Sequence, residues 1–234
     1  METGPLSGMA ALITAACQGI GPSVAATLAE HGARVVLHAL PDSPLDAVQT
    51  TAATIRNSGG NATVLQGDLT SLRAIAALFD EAEQALGGID IVVSNAPAAP
   101  APCALADVDL ADYDALTGLN AKTRFFVLQQ AGRRVRDNGC IVLTSAGESS
   151  ALEAGSAVHA GASAAAELYC RVLAKEIGAR GVTVNVVTAN HGREPNGDST
   201  QAADVVAFLA SHDARWITGQ NIRAGVGLAA RHAA

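Results

Sequence analysis

Short apolar runs of strand length alternate along this chain with longer segments of helical period, and this alternation restricts the fold more than any other feature. Six apolar runs are predicted as strands: residues 10–14, 34–38, 62–66, 89–94, 140–145 and 182–188. Six segments are predicted as helices: residues 22–31, 43–58, 71–86, 111–135, 157–178 and 201–211. The runs are too continuous in Val, Ile and Leu to be half exposed, which indicates a parallel sheet covered on both faces. Repeated strand–helix–strand units predict a doubly wound α/β sheet of about seven strands.

The composition is typical of one globular domain, residues 1–234, and excludes several classes of partner. A net charge of −7 without any Lys/Arg cluster argues against nucleic acids and anionic membranes. No apolar run approaches the roughly 18 residues of a membrane span, and the first residues lack a signal-peptide pattern. The four cysteines have no metal-binding or redox spacing, so we expect reduced thiols, no bound metal and a cytoplasmic location.

The first predicted strand leads into a glycine-containing turn, "TAACQGIGPS" at residues 14–23. A strand, a glycine turn and a helix start form the arrangement that places a pyrophosphate on a helix N-terminus. Tight strand-to-helix turns also use glycine for steric reasons alone. This motif by itself therefore leaves a nucleotide site and a purely structural turn equally open.

Further motifs, in order over nearly the whole chain, resemble those of the short-chain dehydrogenase/reductase family. They are Thr14–Gly21 for the TGxxxGIG loop, Asp68 in "GDLT", "SNAP" at 94–97, Asn120 in "GLNAKTRFFVLQQ", "RGVTVNVV" and "FLASHDARWITGQ". The resemblance implies a single Rossmann-fold domain and a nicotinamide dinucleotide cofactor, NAD or NADP. It assigns the cofactor contacts to Thr14, Gly19, Ile20, Gly21, Asp68, Leu69, Asn95 and Ala96.

Two departures from the family pattern concern cofactor binding. Ala15 stands where the family has its first loop glycine, and an alanine in left-handed geometry costs on the order of 1 kcal/mol. Ala39 and Leu40 stand where the family usually has an acid for the ribose diol or a base for the 2′-phosphate. The sequence therefore does not distinguish NAD from NADP as the cofactor, and we expect the binding of either cofactor to be weak or lost.

The resemblance also implies an Asn-Ser-Tyr-Lys catalytic tetrad, of which this chain keeps only Asn120. Without any gap, Ala146 takes the position of the serine, His159 that of the tyrosine and Ser163 that of the lysine. Ser145 is adjacent, but strand alternation points it to the opposite face unless the strand has already ended. His159 and Ser163 share one helix face, and a histidine exchanges protons near neutral pH without a helper cation. His159 is thus either an acid–base residue or a polar residue that fills a vacated position.

The segment after the sixth predicted strand, residues 191–200, is short, polar and turn-prone. In the family this segment is longer and covers the substrate. We expect no helical lid here.

These features favour a catalytically degenerate family member, a pseudoenzyme with a structural or regulatory role. The expected partner is a second copy or an active family member, bound through helices 111–135 and 157–178. Three alternatives remain open: a non-redox or altered-mechanism enzyme that uses His159 as acid or base, a residual NAD(P)-dependent carbonyl reductase or dehydrogenase, and a dinucleotide sensor.

Overall fold

A computed structural model describes residues 4–95, 101–146, 154–189 and 198–224. These residues form a single seven-stranded sheet in the order β3-β2-β1-β4-β5-β6-β7, in which every neighbouring pair is parallel. The strands are Ala10–Ile13 (β1), Arg34–Ala39 (β2), Asn61–Gln66 (β3), Ile89–Ser94 (β4), Val135–Ala146 (β5), Thr183–Ala189 (β6) and Asn221–Ala224 (β7). The prediction of a doubly wound parallel sheet is confirmed.

Helices cover both faces of this sheet. They are Gly21–Glu30 (α1), Leu45–Asn57 (α2), Leu72–Leu86 (α3), Leu110–Thr117 (α4), Thr123–Arg134 (α5), Ala157–Ile177 (α6) and Asp198–Ala210 (α7). Apolar residues of α1, α2 and α7 form the core on one face, and those of α3, α5 and α6 form the core on the other. No helix in the described segments is long and apolar enough to cross a membrane.

Alternate residues of each central strand enter opposite cores, as the pleat of a strand requires. In β1, for example, Leu12 packs into the α3/α5/α6 core while Ile13 packs into the α1/α2/α7 core. Because both faces are buried, the strands need aliphatic side chains at successive positions. This double burial explains the unbroken apolar runs of the sequence.

Local signals define most helix ends. Asp109 caps α4, since its Oδ1 accepts a hydrogen bond from the Asp112 N–H at 2.8 Å. Gly87 ends α3 in left-handed geometry, with φ of 75°. Ser43 is of a residue type that favours helix caps, but it does not cap α2, because the residue before the helix is Pro44 and no side chain caps it.

The predicted helix 111–135 is divided into three parts. Between α4 and α5, residues Gly118–Lys122 form a π segment, in which the Thr123 N–H bonds to the Gly118 carbonyl five residues earlier. Asn120 lies in the middle of this segment. A π segment widens the helix locally and turns its side chains away from the ordinary helical positions. Apolar periodicity does not reveal such a local change.

Two further boundaries differ from the prediction. β5 begins at Val135, because Val135 pairs with Ile89 before the ladder resumes regularly at Cys140. α7 begins at Asp198 and takes up the last three residues of the segment 191–200. Asp, Ser and Thr at 198–200 are residue types that favour the start of a helix. Residues 190–197 lie outside the described part of the chain.

Candidate cofactor and catalytic site

The candidate site lies at the carboxyl ends of β1 and β4. These strands are neighbours in the sheet, and the helices that follow them pack on opposite faces. Such a reversal opens a crevice in which α/β proteins bind ligands. A narrow cavity at this point is lined by Thr14, Ala15, Leu40, Leu69, Ser94, Asn95, Leu119, Thr123, Arg124 and Val127. Three of the predicted cofactor residues, Thr14, Leu69 and Asn95, are therefore together.

The predicted cofactor loop has the backbone geometry of a glycine-rich turn. Ala15 has φ of 47° and Gly19 has φ of 55°, both in the left-handed region. Ala15 thus adopts the conformation that its glycine counterpart would adopt freely, and it carries strain on the order of 1 kcal/mol. A Cβ at Gly21 would lie 2.8 Å from the Ala16 Cα, so that only glycine fits where the loop meets α1. Ile20 directly precedes α1 and is buried.

Asn95 fastens this loop to the strands beneath it. Its backbone N–H donates to Thr14 Oγ1 at 3.2 Å, and its Nδ2 donates to the carbonyls of Ala15 and Gln18, both at 2.9 Å. Its Oδ1 accepts a hydrogen bond from Thr144 Oγ1 at 2.7 Å. The hydrogen bonds of the buried amide are therefore satisfied within the protein, and they hold the loop in position. Ala96 lies outside the described residues.

His38, which the sequence analysis did not single out, supports the loop from the other side. Its Nδ1 accepts a hydrogen bond from the Ala15 N–H at 3.2 Å, and its Nε2 donates to the Gly67 carbonyl at 3.0 Å. The ring is therefore neutral with its proton on Nε2, because an N–H only donates and a carbonyl only accepts. Burial lowers the pKa of His38 to about 4. A histidine inside the aliphatic run "RVVLHA" was the available signal.

We expect the stability of the protein to fall on acidification because of His38. Its pKa is about 4 in the folded state and 6.5 in the unfolded state, so protons bind preferentially to the unfolded chain between these values. The contribution of neutral His38 to the free energy of unfolding is therefore complete above pH 6.5 and is lost as the pH falls through 4. This contribution is about 3 kcal/mol in total. Urea unfolding of the wild type and of His38→Asn over this pH range measures the difference.

The exposed His212 provides the control for this experiment. The variant His212→Asn should follow the wild-type pH dependence, while His38→Asn should lose most of it. Equal slopes for all three proteins would show that His38 is not protonated on unfolding.

The predicted cofactor contacts Asp68 and Leu69 have different environments. Asp68 is partly exposed, and its carboxylate accepts hydrogen bonds from the N–H and hydroxyl of Thr70, at 2.8 and 2.5 Å. These bonds lower the pKa of Asp68 below its usual value. Leu69 is buried, and its carbonyl accepts a hydrogen bond from Thr123 Oγ1 at 3.0 Å. The strand-to-helix loop that carries both residues is thereby tied to α5.

The predicted catalytic positions on α6 and on the π segment are buried. Asn120 donates from Nδ2 to the Leu116 carbonyl at 3.2 Å, while its Oδ1 has no hydrogen-bond partner. His159 and Ser163 lie on one face of α6, as their spacing predicts, and are 3% and 1% exposed. The Ser163 hydroxyl has no hydrogen-bond partner. Helix α6 packs against the π segment that carries Asn120.

Ser145 and Ala146 belong to the last part of β5. The ladder continues through both, with Ser145 opposite Thr188 and Ala146 opposite Ala189. Strand alternation therefore still applies at Ser145. Its hydroxyl donates to Glu167 Oε1 on α6 at 3.3 Å. The hydroxyl of the residue adjacent to the family's serine position is thus held by a carboxylate.

His159 also lines a cavity of about 410 Å³ beside the start of α6. Residues 101–103, the outer face of α4 and residues 154–156 form the rest of its wall. Asp112 is the acidic residue of this wall. The cavity is large enough for a small organic ligand.

Comparison with known proteins gives full-length relatives. Residues 14–195 match the family model described as enoyl-(acyl carrier protein) reductase. The chain is 31% identical to versicolorin reductase stcU of Emericella nidulans, over 93% of this chain and 94% of that protein. It is 33% identical to the hydroxynaphthalene reductase-like protein Arp2 of Metarhizium majus, over 93% of each.

Solved structures of dehydrogenases and reductases are similar to this chain over nearly its whole length. A putative dehydrogenase from Burkholderia cenocepacia with bound NADP superimposes with a TM-score of 0.87 at 28% identity, covering 93% of this chain and 92% of that one. The promiscuous reductase LugOII, which catalyses keto-reduction at C1 during lugdunomycin biosynthesis, has a TM-score of 0.85 at 30% identity, covering 94% and 96%. The chain belongs to the short-chain dehydrogenase/reductase family of oxidoreductases.

Proposed function

We propose that this chain has lost the hydride-transfer chemistry of its family and serves as a non-catalytic subunit of an oligomer. The observation that carries the proposal is the set of residues at the tetrad positions: Ala146, His159 and Ser163 beside a retained Asn120. Strand β5 and helix α6 are regular at these positions, so no shift of the chain brings a replacement tyrosine or lysine forward. A turnover assay with NADH and NADPH tests the proposal.

Each substitution removes a defined part of the chemistry. A tyrosine with a reference pKa near 10 is a useful acid at neutral pH only beside a cation, and position 163 offers a hydroxyl instead. Alanine at position 146 has no side-chain group that could donate a hydrogen bond to a substrate carbonyl. Loss of one such donor typically costs about 2.7–4 kcal/mol of transition-state stabilisation. The short connection between Ala189 and Asp198 also supports the proposal, since a substrate cover needs a longer segment.

The residues that would hold a nicotinamide dinucleotide are the loop Thr14–Gly21, Asp68, Leu69 and the pair Asn95–Ala96. The left-handed geometry of the loop and its hydrogen bonds to Asn95 fit such a cofactor. When bound, the cofactor supplies or accepts the hydride. We propose that binding is weak, because Ala15 is strained and Ala39 and Leu40 provide no charge for the ribose. Titration calorimetry with NAD(H) and NADP(H) measures this affinity, and tight binding contradicts the proposed weakness.

An apolar groove between α5 and α6 supports the subunit role. Phe125, Leu168 and Val172 are 39%, 56% and 55% exposed on these two helices. Between the helices lies a cavity of about 380 Å³, whose apolar wall includes Tyr169 and Ile177. An exposed patch of this kind marks a surface for another protein. We propose that a second copy, or an active member of the family, covers it.

The variant Val172→Glu is expected to dissociate this oligomer to monomers. Its carboxylate would be buried at the centre of a mainly apolar interface, which costs several kcal/mol of association free energy. Light scattering coupled to size-exclusion chromatography measures the mass. Leu72→Glu introduces the same charge at an equally exposed leucine on α3 and should leave the mass unchanged. A monomeric wild type, or an unchanged mass for Val172→Glu, contradicts the proposed interface.

A second candidate function rests on the cavity beside His159. A buried histidine in the wall of a cavity of about 410 Å³ is suited to general acid–base catalysis without a nicotinamide cofactor, as in an isomerisation or a dehydration. Cofactor-independent turnover that disappears in His159→Asn and persists in His212→Asn would establish this function. Turnover unaffected by His159→Asn would eliminate it.

A further inference from the structure

His38 is a fully buried residue of β2 that contacts two segments of the proposed dinucleotide site. Its Nδ1 accepts a hydrogen bond from the Ala15 N–H at 3.2 Å, and its Nε2 donates to the Gly67 carbonyl at 3.0 Å. Ala15 belongs to the loop Thr14–Gly21, and Gly67 directly precedes the predicted cofactor contact Asp68. One imidazole ring therefore connects the loop with the segment that carries Asp68.

The backbone of β2 reinforces both connections. The His38 carbonyl accepts a hydrogen bond from the Ala16 N–H at 2.8 Å, and the Ala39 carbonyl accepts one from the Gly67 N–H at 3.1 Å. Each segment is thus attached to β2 by one backbone hydrogen bond and one hydrogen bond to the imidazole. A substitution of His38 removes the bonds to the ring and leaves the backbone bonds possible.

The conformation of Ala15 makes its bond to His38 more important than it would be beside a glycine. Ala15 has φ of 47°, which is unfavourable for any residue that has a Cβ. Its N–H is held by His38 Nδ1, and its carbonyl is held by Asn95 Nδ2. These two side chains oppose the relaxation of Ala15 to negative φ. Loss of the bond to His38 should therefore allow the loop to leave its left-handed geometry.

Asparagine and glutamine can each reproduce one of the two bonds of His38. The neutral imidazole presents an acceptor at Nδ1 and a donor at Nε2, on opposite sides of a rigid ring. Asparagine places an oxygen near the position of Nδ1, but it is too short to reach the Gly67 carbonyl. Glutamine places a donor near the position of Nε2, but it has no acceptor close to the Ala15 N–H. The two variants thus separate the functions of the ring.

We propose that His38 is a positioning residue of the dinucleotide site, which holds the loop and the Asp68 segment at the spacing that one ligand needs to contact both. The loop leads into the N-terminus of α1, which favours phosphate, and a carboxylate accepts hydrogen bonds from the amino or hydroxyl groups of a nucleoside. A ligand with both groups gains affinity when the two segments are already ordered. The inference rests on the proposed dinucleotide site and is independent of hydride transfer.

Titration with three probes, followed by calorimetry and NMR, tests this role. Tripolyphosphate offers groups for the loop, adenosine offers groups for the Asp68 segment, and ADP offers both. We expect His38→Leu, which removes both bonds, to lower the affinity for ADP roughly tenfold or more. His38→Asn should bind tripolyphosphate as the wild type does and should bind adenosine roughly threefold more weakly. His38→Gln should show the opposite preference.

The variant Ala15→Gly distinguishes positioning from a general loss of structure. Glycine adopts positive φ freely, so Ala15→Gly should restore part of the tripolyphosphate affinity that His38→Gln loses. In His38→Asn, which keeps the bond to residue 15, it should change this affinity little.

Asn185→Ala provides the matched control. Asn185 is also fully buried and bonds two backbone groups, the Ile217 carbonyl at 2.8 Å and the Gln220 N–H at 3.1 Å. Its loss should lower Tm and leave the ADP affinity unchanged, when all proteins are measured at a temperature at which they are folded.

Equal ADP affinities of the wild type and His38→Leu would overturn the proposal, and so would an equally large loss of affinity in Asn185→Ala. If His38→Leu does not fold, the probe preferences of His38→Asn and His38→Gln decide, and identical preferences would refute the positioning role. A wild type that does not bind ADP at millimolar concentrations would also refute it, while the proposed non-catalytic role would stand. Turnover with NADH or NADPH would contradict that role without changing these affinities.

Discussion

Ser163→Lys, the variant that restores the family's lysine, is expected to destabilise the fold by about 3–5 kcal/mol. Position 163 is 1% exposed and lies one helical turn before Glu167, which is close enough to the buried guanidinium of Arg124 to act on it electrostatically. A second cation there would lose its hydration and repel the first. The midpoint of urea unfolding should therefore fall markedly at neutral pH.

Two further variants separate the charge from the volume of the new side chain. Ser163→Met introduces a side chain of a length similar to that of lysine but without a charge. It should lower the free energy of unfolding clearly less than Ser163→Lys does. The double variant Ser163→Lys with Arg124→Met should recover most of the loss, because one buried cation then replaces two. A double-mutant cycle over these proteins gives the coupling free energy. A Ser163→Lys protein as stable as Ser163→Met would show that Arg124 does not act on position 163.

The sequence predicted the fold well because the sheet depends on a simple pattern. Unbroken aliphatic runs such as "IDIVVS" at β4 occur where both faces of a strand are covered, and glycines such as Gly87 end helices by a local conformational preference. The π segment around Asn120 and the early start of β5 depend on backbone hydrogen bonds, which side-chain periodicity does not record.

The sequence predicted only those parts of the candidate site whose residues are close together in the chain and form a recognisable motif. The left-handed conformation at Ala15 followed from the position of a glycine in the family loop, and the structure has it. His38 and Arg124 were missed, because their importance depends on contacts with Gly67 and with α6, far away in sequence. One local signal existed: Arg124 lies on the same helix side as the buried Leu128, where an apolar residue is typical.

The absence of reductase activity is the second large effect that we expect, and it concerns the central proposal. A general acid typically contributes 10²–10⁴-fold and an oxyanion donor 10²–10³-fold, so loss of both lowers the rate by roughly four or more orders of magnitude. Residues Ala146, His159 and Ser163 each contribute to this loss. The protein should be assayed in the assembly state in which it is purified, since the proposed role is that of a subunit.

The decisive measurement is the oxidation of NADH and NADPH by the purified protein in the presence of ketone and quinone substrates, followed at saturating cofactor. An active reductase of the family, alone and with its catalytic tyrosine changed to histidine, calibrates the assay. We expect no turnover above the rate of that disabled control. Robust carbonyl reduction, abolished by His159→Asn and retained by His212→Asn, would contradict the proposal and establish this chain as a reductase that uses a histidine as its acid.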